Sequence, residues 1–264
     1  MLVAVAGLIG TPAIAADMVV KAWSPAPASV PSWTGFYGGV NAGWNVTTTS
    51  TATQVTTPLT DAVFPDSPKG SGALAGVQFG YNWQATSNWI AGIEADFQYT
   101  GANATGTAQQ LRLNPGIFGS VLTESFSRTD SLDWFGTVRG RLGYAVPEGF
   151  MLFATGGFAY GRVTESTSAL FTQTIISTPP FGVTNANTVF EVSTVRTGWT
   201  AGGGVESAIA PDSHLSWKAE YLYVDLGRNN AGFAGSAFGT QVANTTSSAL
   251  ADHIVRFGLN WHPN

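Results

Sequence analysis

From Trp33 onward the chain repeats one pattern: apolar and polar residues alternate with a period of two. In residues 89–99, Trp89, Ala91, Ile93, Ala95, Phe97 and Tyr99 occupy one face, and Gly92, Glu94, Asp96 and Gln98 the other. Side chains alternate across a strand, so this is a strand between two different environments and not a helix. Ala73, Ala75, Val77, Phe79, Tyr81 and Trp83 alternate with Gly72, Gly76, Gln78, Gly80 and Asn82. Trp134, Val138, Leu142 and Tyr144 alternate with Thr137, Arg139, Arg141 and Gly143. Trp199, Ala201 and Val205 alternate with Arg196, Gly202, Gly204 and Glu206, and Leu215, Trp217, Ala219, Tyr221 and Tyr223 with Ser216, Lys218 and Glu220. Val255, Phe257, Leu259 and Trp261 alternate with Arg256, Gly258 and Asn260. Phe36, Val40 and Trp44 against Tyr37, Gly39, Asn41 and Gly43 give a weaker case, and residues 150–163 are apolar on both faces. The reading is eight strands, an even number.

The connections alternate in length. Residues 84–88, 146–149 and 209–213 are short turns, whereas 47–69, 100–129, 164–194 and 228–250 are long and rich in Thr, Ser, Asn and Ala. A compact soluble domain rarely carries four loops longer than about 15 residues. Tight turns on one side and long loops on the other are the layout of an outer-membrane barrel. The expected fold is all-β: an eight-stranded antiparallel transmembrane up-and-down β-barrel.

The two faces decide which side meets lipid. The strand charges are Glu94, Asp96, Arg139, Arg141, Arg196, Glu206, Lys218, Glu220 and Arg256, nearly balanced in sign and all opposite the aromatic stripe. They form the expected interior charge network. Trp44, Trp83, Trp89, Phe97, Tyr99, Trp134, Tyr144, Tyr160, Trp199, Trp217, Tyr221, Tyr223 and Trp261 stand near strand ends and form the expected membrane-interface belts. In lipid every backbone N–H and C=O needs a partner, so the sheet must close. A soluble barrel of lipocalin type, or a sandwich, would have to expose the aromatic stripes or bury nine charges without reason.

Composition agrees. Only 10% of the 264 residues are charged, against about 25% on average. The chain has no Cys, which excludes disulfide scaffolds and thiolate metal sites. A net charge of −5 argues against nucleic acid as a partner. Residues 1–15 are apolar and end in Ala13-Ile14-Ala15, a small-x-small cleavage pattern, so they read as a signal peptide, although without a basic leading region. A short buried helix is the alternative. Residues 16–32 contain Pro25, Pro27 and Pro31 and read as an extended periplasmic linker. Residues 33–264 are the barrel with four long external loops.

Little in the chain suggests chemistry. His214 and Ser216 share a strand face with Glu220, the residue set of an acyl hydrolase. However, they follow a short turn, at the end of the barrel away from the outer leaflet. A turn-proximal histidine and a small interior serine is the plainer account. His253 and His262 are nine residues apart, with no carboxylate at ligand spacing beyond Asp252, so no metal is expected. Gly202-Gly203-Gly204 lacks the Lys-Ser/Thr sequel of a phosphate loop. No cofactor is expected.

The stretch Trp33-Thr34-Gly35-Phe36-Tyr37-Gly38-Gly39-Val40-Asn41-Ala42-Gly43-Trp44 and the close His253-Ile254-Val255-Arg256-Phe257-Gly258-Leu259-Asn260-Trp261 resemble the small outer-membrane surface antigens of alphaproteobacteria. These are the outer-membrane immunogenic or porin-family proteins, within the OmpA-like eight-stranded barrel group. The resemblance covers essentially the whole chain and implies the bacterial outer membrane as location. It implies outer-membrane lipid and the barrel-assembly machinery as partners. That machinery reads a terminal aromatic; here Trp261 is followed by three further residues. The expected function is structural and surface-interacting, with a lumen closed by paired charges and with loops whose ligand the sequence does not name. A narrow porin is the alternative, motivated by the small interior residues Gly39, Gly43, Gly72, Gly76, Gly80, Gly143 and Gly202. A lipid-modifying hydrolase dependent on Ser216 is a distant third.

Overall fold

A computed structural model describes residues 32–57, 60–113, 120–147, 149–176, 182–210, 213–237 and 240–263. The expected signal peptide over 1–15 and linker over 16–32 lie outside the described residues, apart from Ser32. The strands are β1 (Gly35–Thr57), β2 (Thr60–Asp66), β3 (Lys69–Gln84), β4 (Trp89–Leu113), β5 (Ser120–Ala145), β6 (Phe150–Ile175), β7 (Gly182–Ala208), β8 (Leu215–Ala237) and β9 (Thr240–Trp261). Each pairs antiparallel with its neighbour, and β9 returns to β1. Val40, for example, faces Val77 on one side and Leu259 on the other. The short β2 folds back on the outer end of β1, from Thr57↔Thr60 to Thr51↔Asp66. The wall itself is therefore eight strands in one ring, and no described residue is helical.

The turn side is tight. At the β5–β6 turn Gly149 has φ 92°, and its N–H donates to the Val146 carbonyl at 3.0 Å. The other side departs from the expected loops. Most of 47–69, 100–129, 164–194 and 228–250 is strand, so the barrel continues outward as long β arms. The physical reason lies in the side chains. On the outer part of β6, Val163, Glu165, Thr167, Ala169 and Phe171 are all buried, so a period of two persists there. It is a period of mixed chemistry, and Thr, a β-branched residue, favours the extended backbone at many of these positions.

Register shifts fall at Tyr99/Ala102 on β4, Leu132/Trp134 on β5 and Asp225/Arg228 on β8. All three lie at the outer rim, where bulges commonly bend strands. On β8 the bend uses Gly227, at φ 67°, whose N–H donates to Asp225 Oδ1 at 2.7 Å.

The outward face is apolar. Phe36, Val77, Phe79, Ile93, Val138, Leu142, Leu152, Phe158, Val255, Phe257 and Leu259 are exposed large hydrophobics. An exposed apolar band around the whole wall is the reverse of a soluble barrel and fits lipid contact.

Candidate functional site

Because side chains alternate, each outward apolar residue leaves its neighbour pointing into the lumen. The lumen is therefore where this chain's unusual chemistry collects. All nine charged residues expected inside are buried.

Eight of them meet in one cluster. Arg139, on β5, is its hub. Its Nη1 donates to Glu220 Oε1 at 2.5 Å and to Thr155 Oγ1 at 3.0 Å; its Nη2 donates to Asp96 Oδ2 at 3.0 Å and also pairs with Glu94. Lys218 Nζ donates to both oxygens of Glu94, at 2.9 and 2.8 Å, and lies 3.4 Å from Glu220 Oε2. Arg256 donates to Glu220 Oε2 at 2.8 Å and to Asp96 Oδ2 at 2.7 Å. Arg141 pairs with Glu206, and its guanidinium stacks 4.0 Å from the Phe153 ring centroid. Tyr37 links the two halves: its hydroxyl donates to Glu94 Oε2 at 2.7 Å and accepts from Arg141 at 3.3 Å. Four cations stand against four carboxylates, so this layer is electrically neutral. A buried charge left alone costs several kcal/mol, which is why each is ringed by counter-charges.

Arg196 lies apart, farther out. It pairs with Glu165 and donates to Ser248 Oγ at 2.8 Å. Arg128 lies 2.9 Å from Glu165 and donates to Asp130 Oδ1 at 2.7 Å. This second cluster stands beyond the outer aromatic belt. Burial there holds the Asp130 carboxyl above its ordinary range and draws the Arg196 guanidinium below its own. Arg128, Asp130 and Glu165 were hidden from sequence reading because they fall in or beside segments taken for loops.

Between the clusters lies a layer that the sequence reading missed. Leu74, Leu132, Phe135, Ala159, Val163, Leu222, Val224, Leu226, Leu250 and Ile254 form one buried apolar core inside the barrel. Its signal was present: Leu222 and Val224 flank Tyr223, and Phe135 follows Trp134, so both faces turn apolar near the outer rim. A smaller core of Trp33, Ile90, Ala145 and Met151 caps the turn-side mouth.

The interior glycines do not leave open space. A Cβ on Gly143 would stand 2.6 Å from Met151 Sδ, one on Gly43 2.8 Å from Arg256 Cβ, and one on Gly202 2.6 Å from Leu222 Cδ2. Their missing side chains make room for large neighbours.

The His214–Ser216 pairing that a hydrolase would need does not occur. His214 is exposed, and its carbonyl accepts from the His262 N–H at 2.7 Å. Ser216 Oγ donates to Glu206 Oε1 at 2.6 Å and lies 3.0 Å from His262 Nε2. A hydroxyl that donates to a carboxylate is not deprotonated by the histidine. Glu220 is engaged by Arg139 and Arg256 instead. His253 faces outward, its Nδ1 2.7 Å from the Tyr221 hydroxyl, so it is not brought near His262. No group of three potential metal ligands occurs among the described residues.

The belt aromatics all stand on the outward face. Trp83, Trp89, Tyr144, Trp217 and Trp261 ring the turn side. Trp44, Phe97, Tyr99, Trp134, Tyr160, Trp199, Tyr221 and Tyr223 ring the outer side. Neighbours touch: Trp89 meets Tyr144 with ring centroids 5.3 Å apart, Phe97 meets Trp134 at 5.4 Å, and Trp199 meets Tyr223 at 5.3 Å. On β5 the belts are at residues 134 and 144, the separation a tilted strand needs to cross a bilayer core.

Comparison with known proteins places this architecture. The family model of the outer membrane protein beta-barrel domain matches residues 2–261. A 31 kDa outer-membrane immunogenic protein of Brucella melitensis is 34% identical, with 99% of this chain and 98% of that protein covered. A 25 kDa outer-membrane immunogenic protein of Brucella abortus is 26% identical, covering 94% and 90%. Among solved structures, the outer membrane protein OprG of Pseudomonas aeruginosa aligns over 87% of this chain and 97% of its own, at 11% identity and a TM-score of 0.41.

Proposed function

The chain belongs to the outer membrane protein beta-barrel family of the bacterial outer membrane, and on that premise we propose that it acts as a closed barrel: a wall element that presents β arms outside the cell. The observation that carries this reading is the apolar layer around Phe135 and Leu222, fully buried between two charge clusters. An eight-stranded barrel has an interior just wide enough for side chains to fill. Here two layers of paired charge and one of hydrocarbon occupy it. The one carboxylate at this level, Asp252 between Leu250 and Ile254, is taken up by Asn45 and Thr47, so the layer offers water few free polar partners and a file of solute would break there.

The narrow-porin reading drew its support from the interior glycines, whose space is taken by Met151, Arg256 and Leu222. The hydrolase reading finds no support in Ser216, which is tied to Glu206. The test is solute-driven swelling of liposomes carrying the refolded barrel, with protease digestion of the arms to verify insertion. The expected result is no swelling with small sugars. Swelling that changes on replacing Arg139 or Arg141 would establish the porin instead.

A further inference from the structure

A groove crosses the lipid-facing wall on the turn half of the barrel. Trp261, Gly38, Phe79, Ala95 and Val138 stand on one rung of the sheet, from β9 through β1, β3 and β4 to β5. Phe36, Tyr81 and Ile93 stand on the next rung toward the turns. All these positions face outward, and the two small residues, Gly38 and Ala95, leave a hollow of about 470 Å³ among the large ones. Small-molecule sites run from roughly 300 to 1,000 Å³.

We propose that this groove holds one acyl chain of an inner-leaflet phospholipid whose headgroup carries an ammonium group. This gives the expected lipid partner a site and a headgroup class. It concerns the outer wall alone and stands whether or not the lumen conducts.

The dimensions select a single chain. Five strands at sheet spacing make the groove about 19 Å long, and two rungs make it about 7 Å wide. It begins at Trp261, in the turn-side belt, and ends at Val138, midway between the belt residues Trp134 and Tyr144. One leaflet contributes about 15 Å to the hydrocarbon core, so a chain anchored at the belt reaches the far end. The turn side of such a barrel faces the periplasm, which makes this the inner leaflet. A second copy of this chain is a poorer occupant, because a stable protein interface covers about 800 Å² on each partner, several times the area of the groove.

The headgroup follows from what borders the groove at the belt. Phe36 meets Tyr81 with ring centroids 4.8 Å apart at 63°, and Trp261 borders the same hollow. Aromatic faces attract ammonium groups. Arg139, Arg141, Lys218 and Arg256 are buried in the lumen, and among the described residues no Lys or Arg faces outward on this half of the wall. An anionic headgroup therefore meets no cation here.

The test is native mass spectrometry of the full chain released from liposomes of phosphatidylcholine, phosphatidylethanolamine and phosphatidylglycerol in equal parts, with identical acyl chains. One retained lipid per barrel is expected, with each ammonium lipid favoured about fivefold over phosphatidylglycerol. Ala95→Leu fills the floor with hydrocarbon and should abolish retention, whereas Ala201→Leu, at an outward alanine on β7, should leave it unchanged. Phe36→Lys sets a cation at the headgroup and should turn the preference toward phosphatidylglycerol. That reversal is a gain of binding, which a misfolded variant would not produce. Equal retention of the three lipids, retention unmoved by Ala95→Leu, or a preference unmoved by Phe36→Lys overturns the proposal, as does a barrel that keeps no lipid. A lipid-free dimer dispersed by Ala95→Leu would give the groove to a second copy and likewise overturns it.

Discussion

Asp130 carries one of the few titrations available outside the membrane. Burial holds its carboxyl above the ordinary value of 3.8, while Arg128 and Arg196 oppose that shift and Glu165 adds to it. The folded arm therefore keeps its proton at a pH where the unfolded arm has released it. Stability falls when the folded state binds more protons than the unfolded state and pH rises. The arm is accordingly expected to be most stable below the ordinary carboxylate value. It should lose stability as pH climbs through the raised one, and then level off. Amide exchange of residues 120–131, corrected for intrinsic rates, reads this directly. Asp130→Asn should flatten the profile, and protection that climbs with pH would contradict the assignment. This residue also marks where sequence reading stops. Glu94, Arg139 and Glu220 were legible because apolar neighbours at period two bracket them. Asp130 and Glu165 sit among Ser and Thr, where nothing in hydropathy separates inside from outside.

At the scale of a strand, position along the chain decides what an outward residue costs to change. Val138 lies midway between Trp134 and Tyr144, so its outward side chain sits near the bilayer centre. Leu170 is outward too, but on the arm of β6 well beyond Tyr160. Val138→Arg should destabilise the barrel by about 2–4 kcal/mol, and Leu170→Arg by about 0–1 kcal/mol. Urea unfolding in lipid vesicles, followed by tryptophan fluorescence, separates them. Equal costs would mean that the belts do not mark the membrane. The same contrast explains the misread arms. Lipid demands apolar side chains, and the alternation it imposes is visible in sequence. Beyond the belts water meets the outward face, Thr and Ser serve on both sides, and the strand is kept by backbone pairing with only a small inner cluster of Phe126, Ala169 and Phe171. That pairing leaves no hydrophobic signature, so strands such as Ser120–Ala145 look half their length.

For the whole molecule the question is which layer seals the lumen. The eight-charge cluster is polar, and removing one member leaves both unpaired charge and room for water. Arg139→Gln would leave Glu94, Asp96 and Glu220 to Lys218 and Arg256, with Arg141 only at 3.9 Å from Glu94, at a cost of about 3–5 kcal/mol. Yet the hydrocarbon layer above it would stay shut, so planar bilayers with this variant should remain silent. Truncating the layer is not enough either. Phe135→Ala with Leu222→Ala leaves a cavity lined mainly by Leu, Val and Ile, with Gln98 the polar neighbour across from residue 135, and a cavity so largely apolar is expected to stay dry. Phe135→Ser with Leu222→Ser makes a similar space but lines it with hydroxyls that hold water, so this pair is expected to conduct. Single-channel recording on the three variants, each verified as inserted, orders the layers. Conductance from Arg139→Gln alone would move the seal to the charge cluster. Conductance from the alanine pair would mean that width alone, rather than wetting, closes the barrel.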